Sequence, residues 1–187
     1  MSTPILHTTR LDLRPLTISD APAIQEHFDN WNIIQYLTNQ VPWPYPADGA
    51  QTFITDIVRP AYETEAALIW AITEPGIDLL IGCINFTFDD TGVGNRGFWL
   101  AEPFWGRGYM TEAVEAVQDH VLLDLGVERM VVLNAVTNPA SRRIKEKTGA
   151  RLVGQIELAH HNGETLSDQW EVTRSDWAQR RNRPLTD

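Results

Sequence analysis

The chain has 187 residues, 43% of them hydrophobic, and a formal net charge of -10. This length and apolar content suit one well-cored domain spanning 1–187. The negative charge argues against a nucleic-acid-binding surface, because phosphate binding needs clustered Lys and Arg. No apolar run approaches membrane-spanning length and no apolar leader stands near the N-terminus, so we expect a cytoplasmic protein without a nucleic-acid or membrane partner.

The chain offers few candidate metal ligands. Cys83 is its only cysteine and stands in an apolar run, so we expect a buried thiol rather than a nucleophile or a zinc ligand. His160 and His161 are adjacent, and adjacent strand residues point to opposite faces of a sheet, so the two cannot share one metal ion. We expect both histidines at the surface of a hairpin, and no metal.

The N-terminal third predicts one strand, two helices and a rigid loop. Alternating residues predict a strand over 11–16, and Ser19 is placed to cap the helix that follows. Three prolines in 41–46 fix φ and remove N–H donors, so this aromatic segment forms a loop. A second helix runs from about 48 to 65, bent or broken near Pro60.

The middle of the chain alternates between strands and helices. Apolar runs and turn residues predict strands over 67–73, 79–88, 97–101 and 129–136, with turns at 75–76 and 89–94. Spacings of three and four predict a helix that buries one stripe, formed by Met110, Ala113, Val114, Val117, Val121 and Leu125. Gly126 ends this helix, and another helix begins at Pro139 and ends at Gly149.

The end of the chain predicts a hairpin. Asn162-Gly163 is a strong turn signal and lies between the predicted strands 151–160 and 165–173. Strands that alternate with helices in the middle and pair as hairpins elsewhere indicate one α/β domain with a mixed sheet.

Two glycines, Gly106 and Gly108, stand directly before the first central helix. The unpaired N–H groups at a helix start carry about half a positive charge and suit a phosphate. Glycine also lets a diphosphate approach the main chain, because no Cβ is in the way. The sequence therefore predicts an anion site at this strand-to-helix turn, although such turns are common.

Five basic residues and one acidic residue fall within 138–151 of an otherwise acidic chain. A basic segment in an acidic protein favours one specific anionic ligand, with a basic or amine-bearing substrate attracted to the rest of the surface. A solvated helix face is the alternative reading.

Together these motifs resemble those of the GNAT N-acetyltransferases, most closely the ribosomal-protein N-acetyltransferases. The resemblance covers nearly the whole chain and rests on 9–16, 42–45, 98–113 and 138–150. It implies a single-domain GNAT fold, in which a mixed, mostly antiparallel sheet is splayed between two central parallel strands and flanked by helices. It also implies an enzyme that moves an acetyl group from acetyl-CoA to a primary amine by direct attack in a ternary complex.

The resemblance also implies an acetyl-CoA site. The pantetheine arm would lie between the splayed strands, with the N–H of Leu100 or Ala101 polarising the thioester carbonyl. Asn138 would bond the pantetheine amide or only cap its helix, and Arg143 would meet the 3′-phosphate or lie in solvent. The diphosphate would bind main-chain N–H groups at the turn and helix start: Gly106, Arg107, Gly108, Tyr109, Met110 and Thr111.

The resemblance implies catalytic groups as well. Ser141 would protonate the leaving thiolate or bond its sulfur. Lys145 stands where many family members have a general-acid tyrosine, so either Ser141 or Lys145 would serve the thiolate. Glu102 and Asp168 are candidate bases, with a structural role in the hairpin as the alternative for Asp168. An α-amine has a pKa near ~8, so it needs no strong base.

The acceptor is the least defined part of the prediction. Trp31, Trp43 and Tyr45 fall in the region that covers the acceptor site in this family, with ordinary packing as the alternative. The acceptor is either a protein N-terminus or a small amine, and a homodimer is compatible with the sequence. A non-catalytic acyl-CoA-binding domain is a competing function, whereas a nucleotide-binding fold is disfavoured because no Walker lysine follows the glycines.

Overall fold

The computed structural model describes residues 2–88, 93–183 and 185. Within them eight strands form one sheet in the order β1-β2-β3-β4-β5-β6-β8-β7. The strands are β1 (Leu6–His7), β2 (Asp12–Pro15), β3 (Ala67–Glu74), β4 (Ile77–Thr87), β5 (Val93–Leu100), β6 (Arg129–Ala135), β7 (Arg151–Glu157) and β8 (Leu166–Thr173). The helices are α1 (Ala21–Phe28), α2 (Trp31–Ile34), α3 (Gly49–Thr52), α4 (Arg59–Glu63), α5 (Tyr109–Gln118), α6 (Pro139–Lys147) and α7 (Arg174–Arg180).

The predicted α/β architecture is confirmed, with a few differences at the edges of elements. Val93 and Gly94 begin β5, and the rest of the turn expected at 89–94 lies outside the described residues. A π-helical stretch, Phe53–Val58, joins α3 to α4, so the expected helix loses regular geometry directly before Pro60. In the described part of the chain, no helix is both long and apolar enough to cross a bilayer.

The sheet divides at its centre. From β1 to β5 each strand is antiparallel to its neighbour, and β6, β8 and β7 form a second antiparallel group. The two groups are joined by the parallel pair β5 and β6, which share only the pairings Val93 with Arg129 and Gly94 with Met130. Beyond these pairings the two strands diverge, and they leave an opening between their carboxyl ends that we call the β5–β6 gap.

Helices cover both faces of the sheet and create two cores. On one face α5 and α7 pack on the sheet. A π-helical stretch, Asp119–Asp124, continues α5, and the predicted stripe is buried from Met110 to Val121, whereas Leu125 is partly buried. On the other face α1, α2 and the π-helical stretch between α3 and α4 pack through Ile24, Ile34, Ile54 and Val58. Cys83 lies in this second core, where burial raises the pKa of its thiol to about 12. The expectation of a buried thiol is therefore confirmed.

The cap predicted at Ser19 is wrong. Asp20 directly precedes α1, and its carboxylate accepts the Thr17 N–H at 2.8 Å and pairs with Arg14 at 2.7 Å. Asp20 is buried, so the Arg14 guanidinium compensates a charge that would otherwise be costly in this position. Ser19 lies inside the 3₁₀ turn Ile18–Asp20, which Thr17 caps and which leads directly into α1, so Ser19 is not at a helix start.

The expectation that both histidines lie at the surface is also wrong. His160 is 7% exposed, and its Nε2 lies 2.8 Å from Ser167 Oγ. His161 Nε2 lies 2.7 Å from the Val41 carbonyl, and the His161 N–H donates to the Leu37 carbonyl. The pair therefore ties the terminal hairpin to the segment that follows α2.

We predict that Gly94→Ala destabilises the fold by about 1–3 kcal/mol, because its Cβ would overlap the Phe86 ring. Gly94 is also one of the two β5 residues paired with β6, so the same change disturbs the narrow end of the gap. Urea unfolding measures the loss. Gly154→Ala is the control, since a Cβ there meets open space in β7. Equal stability of the two variants would contradict the prediction.

Candidate functional site

A cavity of about 570 Å³ occupies the β5–β6 gap and extends to both sides of it. One wall comes from β5 and the turn after it, and the opposite wall from the end of β6 and the start of α6. The start of α5 closes one end, and the segment 32–37 closes another. Of the residues assigned to the acetyl-CoA site, the following line the cavity: Leu100, Gly106, Gly108, Tyr109, Met110, Thr111, Asn138, Ser141 and Arg143.

The glycine turn presents its main chain to this cavity. Gly106 and Gly108 have φ values of 75° and 81°, in the left-handed region that favours glycine. Gly108 is the N-cap of α5, so the first N–H groups of the helix have no partner within the helix. No atom lies within 4 Å of a Cβ built on Gly106. The turn is thus an open main-chain cradle of the kind expected for an anion.

The glycine turn is anchored by Arg10, which the sequence did not single out. Its Nη1 donates to the Arg107 carbonyl at 2.9 Å, and its Nε donates to Glu112 at 2.8 Å. Burial alone would raise the pKa of Glu112, but hydrogen bonds from Thr8 and Arg10 outweigh burial and lower it. Arg10 therefore fixes the turn and offsets a carboxylate charge beside the anion cradle.

Only one of the two predicted carbonyl-polarising donors faces the gap. The Ala101 N–H donates to the Ile81 carbonyl at 2.8 Å, so it belongs to the ladder with β4. Because N–H groups alternate in direction along a strand, the Leu100 N–H points away from β4 and toward β6. The Leu100 carbonyl accepts the Trp105 indole N–H at 2.7 Å, which fixes this peptide at the strand end.

Helix α6 brings Asn138, Ser141 and Lys145 to the cavity. Asn138 Oδ1 accepts the Ser141 N–H at 3.0 Å, so Asn138 caps the helix. Lys145 Nζ donates to Ser141 Oγ at 2.8 Å and lies 5.6 Å from the centre of the Phe98 ring. Lys145 is 1% exposed, and burial together with the nearby Arg96 charge lowers its pKa well below the usual range, against an opposite effect of Asp168.

Arg96 lines the same cavity and was not predicted from the sequence. It is buried, and its guanidinium donates to the neutral Gln118 side chain, which in turn donates to the Thr148 carbonyl. Within the described residues, Arg96 Nε and Nη2 have no hydrogen-bond partner. Burial lowers its pKa to about 9. The inner end of the cavity therefore carries two buried basic side chains, Arg96 and Lys145.

The two candidate bases occupy different environments. Asp168 does not line the cavity; it is buried behind α6, where its carboxylate accepts a hydrogen bond from Gln155 at 3.0 Å. These contacts favour the structural role that was the alternative for Asp168 over the role of a base that meets the substrate. Glu102 is exposed at the rim, and hydrogen bonds from Asn30 and Asn32 lower the pKa of its carboxyl group. Glu102 is thus ionised but is a weaker base than a free carboxylate.

The predicted aromatic residues do not line the cavity. Trp31 and Trp43 are partly exposed, with ring centres 5.2 Å apart, and Trp31 is next to the cavity residue Asn32. Tyr45 packs edge-on against Phe28, and burial raises the pKa of its hydroxyl to about 12. The contacts of Tyr45 therefore fit ordinary packing, the alternative to a place in the substrate site.

Several cavity residues carry no signal in the sequence. The end near α2 is lined by Asn32, Ile33, Gln35, Tyr36 and Leu37. Helix α2 has only four residues, too few for a periodic pattern, and the segment after it is positioned by contacts from the distant His161 and Asn162. The side chain of Arg107 lies against Phe104 rather than in the cavity. Among the described residues no cluster of His, Cys, Asp and Glu is arranged to hold a metal ion.

The chain matches known proteins in sequence and in fold. A family model described as an acetyltransferase (GNAT) domain matches residues 10–151. The uncharacterized N-acetyltransferase YoaA of Bacillus subtilis is 28% identical over 165 residues, which cover 86% of this chain and 90% of that protein. The ribosomal-protein-serine acetyltransferase of Escherichia coli is 28% identical over 93 residues, covering 49% of this chain and 52% of that one. RimL, a ribosomal alpha-N-protein acetyltransferase solved with coenzyme A, has a TM-score of 0.79 at 19% identity, covering 91% of this chain and 98% of that chain.

We predict that Lys145→Met is more stable than the wild type at neutral pH, because Met fills similar space without burying an ionisable amine. The folded-state pKa of Lys145 lies below its unfolded value of ~10.4, so between these values the unfolded chain binds one more proton. Wild-type stability therefore rises with pH in this window, by at most about 1.4 kcal/mol per pH unit. The advantage of the variant shrinks as the pH rises from 7 to 10.

Urea unfolding across that pH range measures the difference between the two proteins. The control is Lys147→Met on the same helix, because Lys147 is exposed and its substitution is expected to give a difference that does not vary with pH. An advantage of Lys145→Met that stays constant from pH 7 to 10 would contradict the prediction.

Proposed function

The chain belongs to the GNAT acetyltransferase family, and on that premise we propose that it moves the acetyl group of acetyl-CoA directly to a primary amine in a ternary complex. The observation that supports this proposal most is the single cavity that joins three features. The glycine turn lies at one end, the Leu100 N–H faces the middle, and the Ser141 hydroxyl lies on the opposite wall. A phosphate-bearing thioester needs an anion cradle, a donor to its carbonyl and a group near its sulfur, in this order.

The diphosphate binds the glycine turn in this proposal. The cradle is formed by the N–H groups of Gly106, Arg107, Gly108 and the first residues of α5, whose dipole favours negative charge. Arg143 lines the same cavity on α6 and is the cation assigned to the 3′-phosphate. Arg10 contributes indirectly, because it compensates the Glu112 charge in the first turn of α5.

The pantetheine arm extends along the β5–β6 gap. Its amides meet the open edge of β5 and the Asn138 side chain, whose oxygen caps α6 while its Nδ2 remains available to a carbonyl. The Leu100 N–H donates to the thioester carbonyl and stabilises the negative charge that develops there when the amine attacks. The Ser141 hydroxyl faces the sulfur and assists departure of the thiolate.

The proton of the amine passes toward Glu102 at the rim, directly or through water. Its carboxylate is fixed by Asn30 and Asn32 and stays ionised at neutral pH, so it also attracts a positively charged amine to the cavity. An α-amine is partly neutral at neutral pH, and a weak base is then sufficient.

The acceptor that we propose is the N-terminal α-amine of a cytoplasmic protein. The acidic chain favours a basic protein partner, and a partly exposed pair, Trp31 and Trp43, flanks the cavity residue Asn32 and offers a surface to a peptide. By their names, the ribosomal-protein-serine acetyltransferase among the relatives and RimL among the similar structures act on ribosomal proteins. A small amine acceptor is the alternative.

We predict that the protein releases CoA from acetyl-CoA in the presence of short basic peptides with a free N-terminus, and not with the same peptides blocked by an N-terminal acetyl group. Mass spectrometry would place the added acetyl group on the first residue. A small-amine panel serves as the comparison. Faster release with small amines than with any free peptide would replace the protein acceptor by a metabolite, and tight CoA binding without release would contradict the transferase function.

We further predict that Gly108→Val weakens CoA binding by about 100-fold or more, measured by calorimetry. Valine is strained at a φ of 81° and displaces the N–H groups that hold the diphosphate. Gly126→Val is the matched control, because Gly126 has a φ of 74° at the far end of the same helical segment. It should lose stability but keep CoA affinity. Unchanged affinity of Gly108→Val would place the diphosphate elsewhere.

A further inference from the structure

Lys145 is unusual within this chain. Of the 15 Lys and Arg residues only Lys145 and Lys147 are lysines, and Lys145 is the buried one. Its amine lines the functional cavity rather than reaching solvent. Arginine keeps its charge in almost any environment, whereas lysine changes its protonation state readily when buried. A lysine in this position can therefore exchange a proton where an arginine would not.

The contacts of Lys145 direct its proton toward Ser141. Lys145 Nζ donates to Ser141 Oγ at 2.8 Å, so the hydroxyl oxygen acts as the acceptor in this bond. The Ser141 proton is then free to point into the cavity, on the wall that faces the sulfur in the proposed function. A serine hydroxyl alone is a very weak acid, and it can pass on a proton only if its own proton is replaced.

Two charged groups, on the strands at either side of β6, shift the pKa of Lys145 in opposite directions. Arg96 of β5 disfavours the ammonium form by repulsion, and Asp168 of β8 favours it by attraction. The Phe98 ring covers the amine from the third side. Asp168 is paired with Asn134 in the register of β6 and β8, so its place behind α6 is fixed by the sheet. The residues around Lys145 thus set how readily it gives up a proton.

We propose that Lys145 is the proton source for the leaving group of the acetyl transfer, acting through the Ser141 hydroxyl. This inference rests on the proposed function. The amine nitrogen forms a bond to the thioester carbon, and the carbon–sulfur bond breaks with its electron pair on sulfur. The sulfur takes the Ser141 proton, Ser141 takes a proton from the Lys145 ammonium, and the amide nitrogen loses its extra proton toward Glu102 and solvent. Lys145 then regains a proton from water in the cavity.

The chemistry of the leaving group suits this donor. Burial and the Arg96 charge lower the pKa of Lys145, so its ammonium gives up a proton to a developing thiolate more readily than an ordinary lysine does. The developing thiolate also compensates the positive charge of the two buried basic groups, Arg96 and Lys145, which otherwise lack an adjacent anion in the cavity.

The test is the pH dependence of CoA release in single-turnover assays of the wild type and four variants. Since Lys145 must carry its proton, the wild-type rate falls as the pH rises through the Lys145 pKa. We call this fall in rate the alkaline limb of the pH profile. Arg96→Met removes a repelling charge and should move the alkaline limb to higher pH. Asp168→Asn removes an attracting charge and should move it to lower pH. Lys145→Met and Ser141→Ala should each lose about 100-fold in rate and keep CoA affinity.

A direct measurement is available because the chain has only two lysines. Protein labelled with ¹³C-lysine gives two side-chain signals, and Lys147→Met identifies which belongs to Lys145. The Lys145 signal should titrate at the same pH as the alkaline limb and shift in opposite directions in Arg96→Met and Asp168→Asn.

The outcomes separate the inference from the proposed function. Wild-type turnover in Lys145→Met, or an alkaline limb that does not move in opposite directions in the two charge variants, overturns the role of Lys145 and leaves the acetyl transfer intact. A wild-type protein that binds CoA but releases none from acetyl-CoA with any amine overturns both. A 100-fold loss in Lys145→Met with the two opposite shifts supports the inference.

Discussion

The divergence of β5 and β6 is the constraint on which the rest of the structure depends. Two parallel pairings hold these strands at one end, and beyond them neither strand has a neighbour on that side. Unpaired N–H and C=O groups inside a protein are costly, so such a gap needs a ligand or water to satisfy its edges. An extended amide-bearing arm is a fitting partner, because it bonds to a strand edge as another strand would. In the proposed function the pantetheine arm of acetyl-CoA is such a partner.

The charged residues that border the β5–β6 gap differ in sign from most of the chain. The chain is acidic overall, yet the residues that border the cavity on α5 and α6 are kept positive in two ways. The charged residues of α6 that line the cavity are basic. In the first turn of α5 the acidic residue is Glu112, and its charge is paired with Arg10. The contact with Arg10 also joins the glycine turn to the segment between β1 and β2. The anion cradle is therefore positioned by a part of the chain nearly a hundred residues away.

The elements with strong local patterns could be predicted from the sequence. The stripe of α5, the β-branched run of β6 and the Asn162-Gly163 hairpin each follow from spacing or turn chemistry, and the structure confirms them. Helix α7 was not predicted, because its seven residues are mostly polar and only Trp177 and Ala178 are buried. Its sequence signal is Thr173, whose hydroxyl accepts the Asp176 N–H at the helix start.

The candidate site also has parts that the sequence predicts and parts that it does not. The glycine turn and the helix cap at Asn138 could be predicted because particular backbone conformations favour particular residues. A positive φ favours glycine, and a helix start favours Asn. Arg96, Tyr36 and the buried state of Lys145 were not found, because each depends on contacts between distant strands. The surroundings of Asp168 could not be predicted for the same reason. Its spacing in the last strand indicates its face, but only the position of α6 shows that this face is covered.

The buried face of α6 shows how stability and reactivity are balanced in this fold. An amphipathic helix normally turns apolar residues toward the sheet, yet α6 turns Lys145 inward, next to Arg96 and without a direct carboxylate partner. Burying an amine without such a partner is unfavourable for folding. The cost is tolerable because the two large cores on either side of the sheet do not depend on α6, which adds mainly Ile144 to them. A helix that contributes little to the core can carry a buried ionisable group at a cost that the fold tolerates.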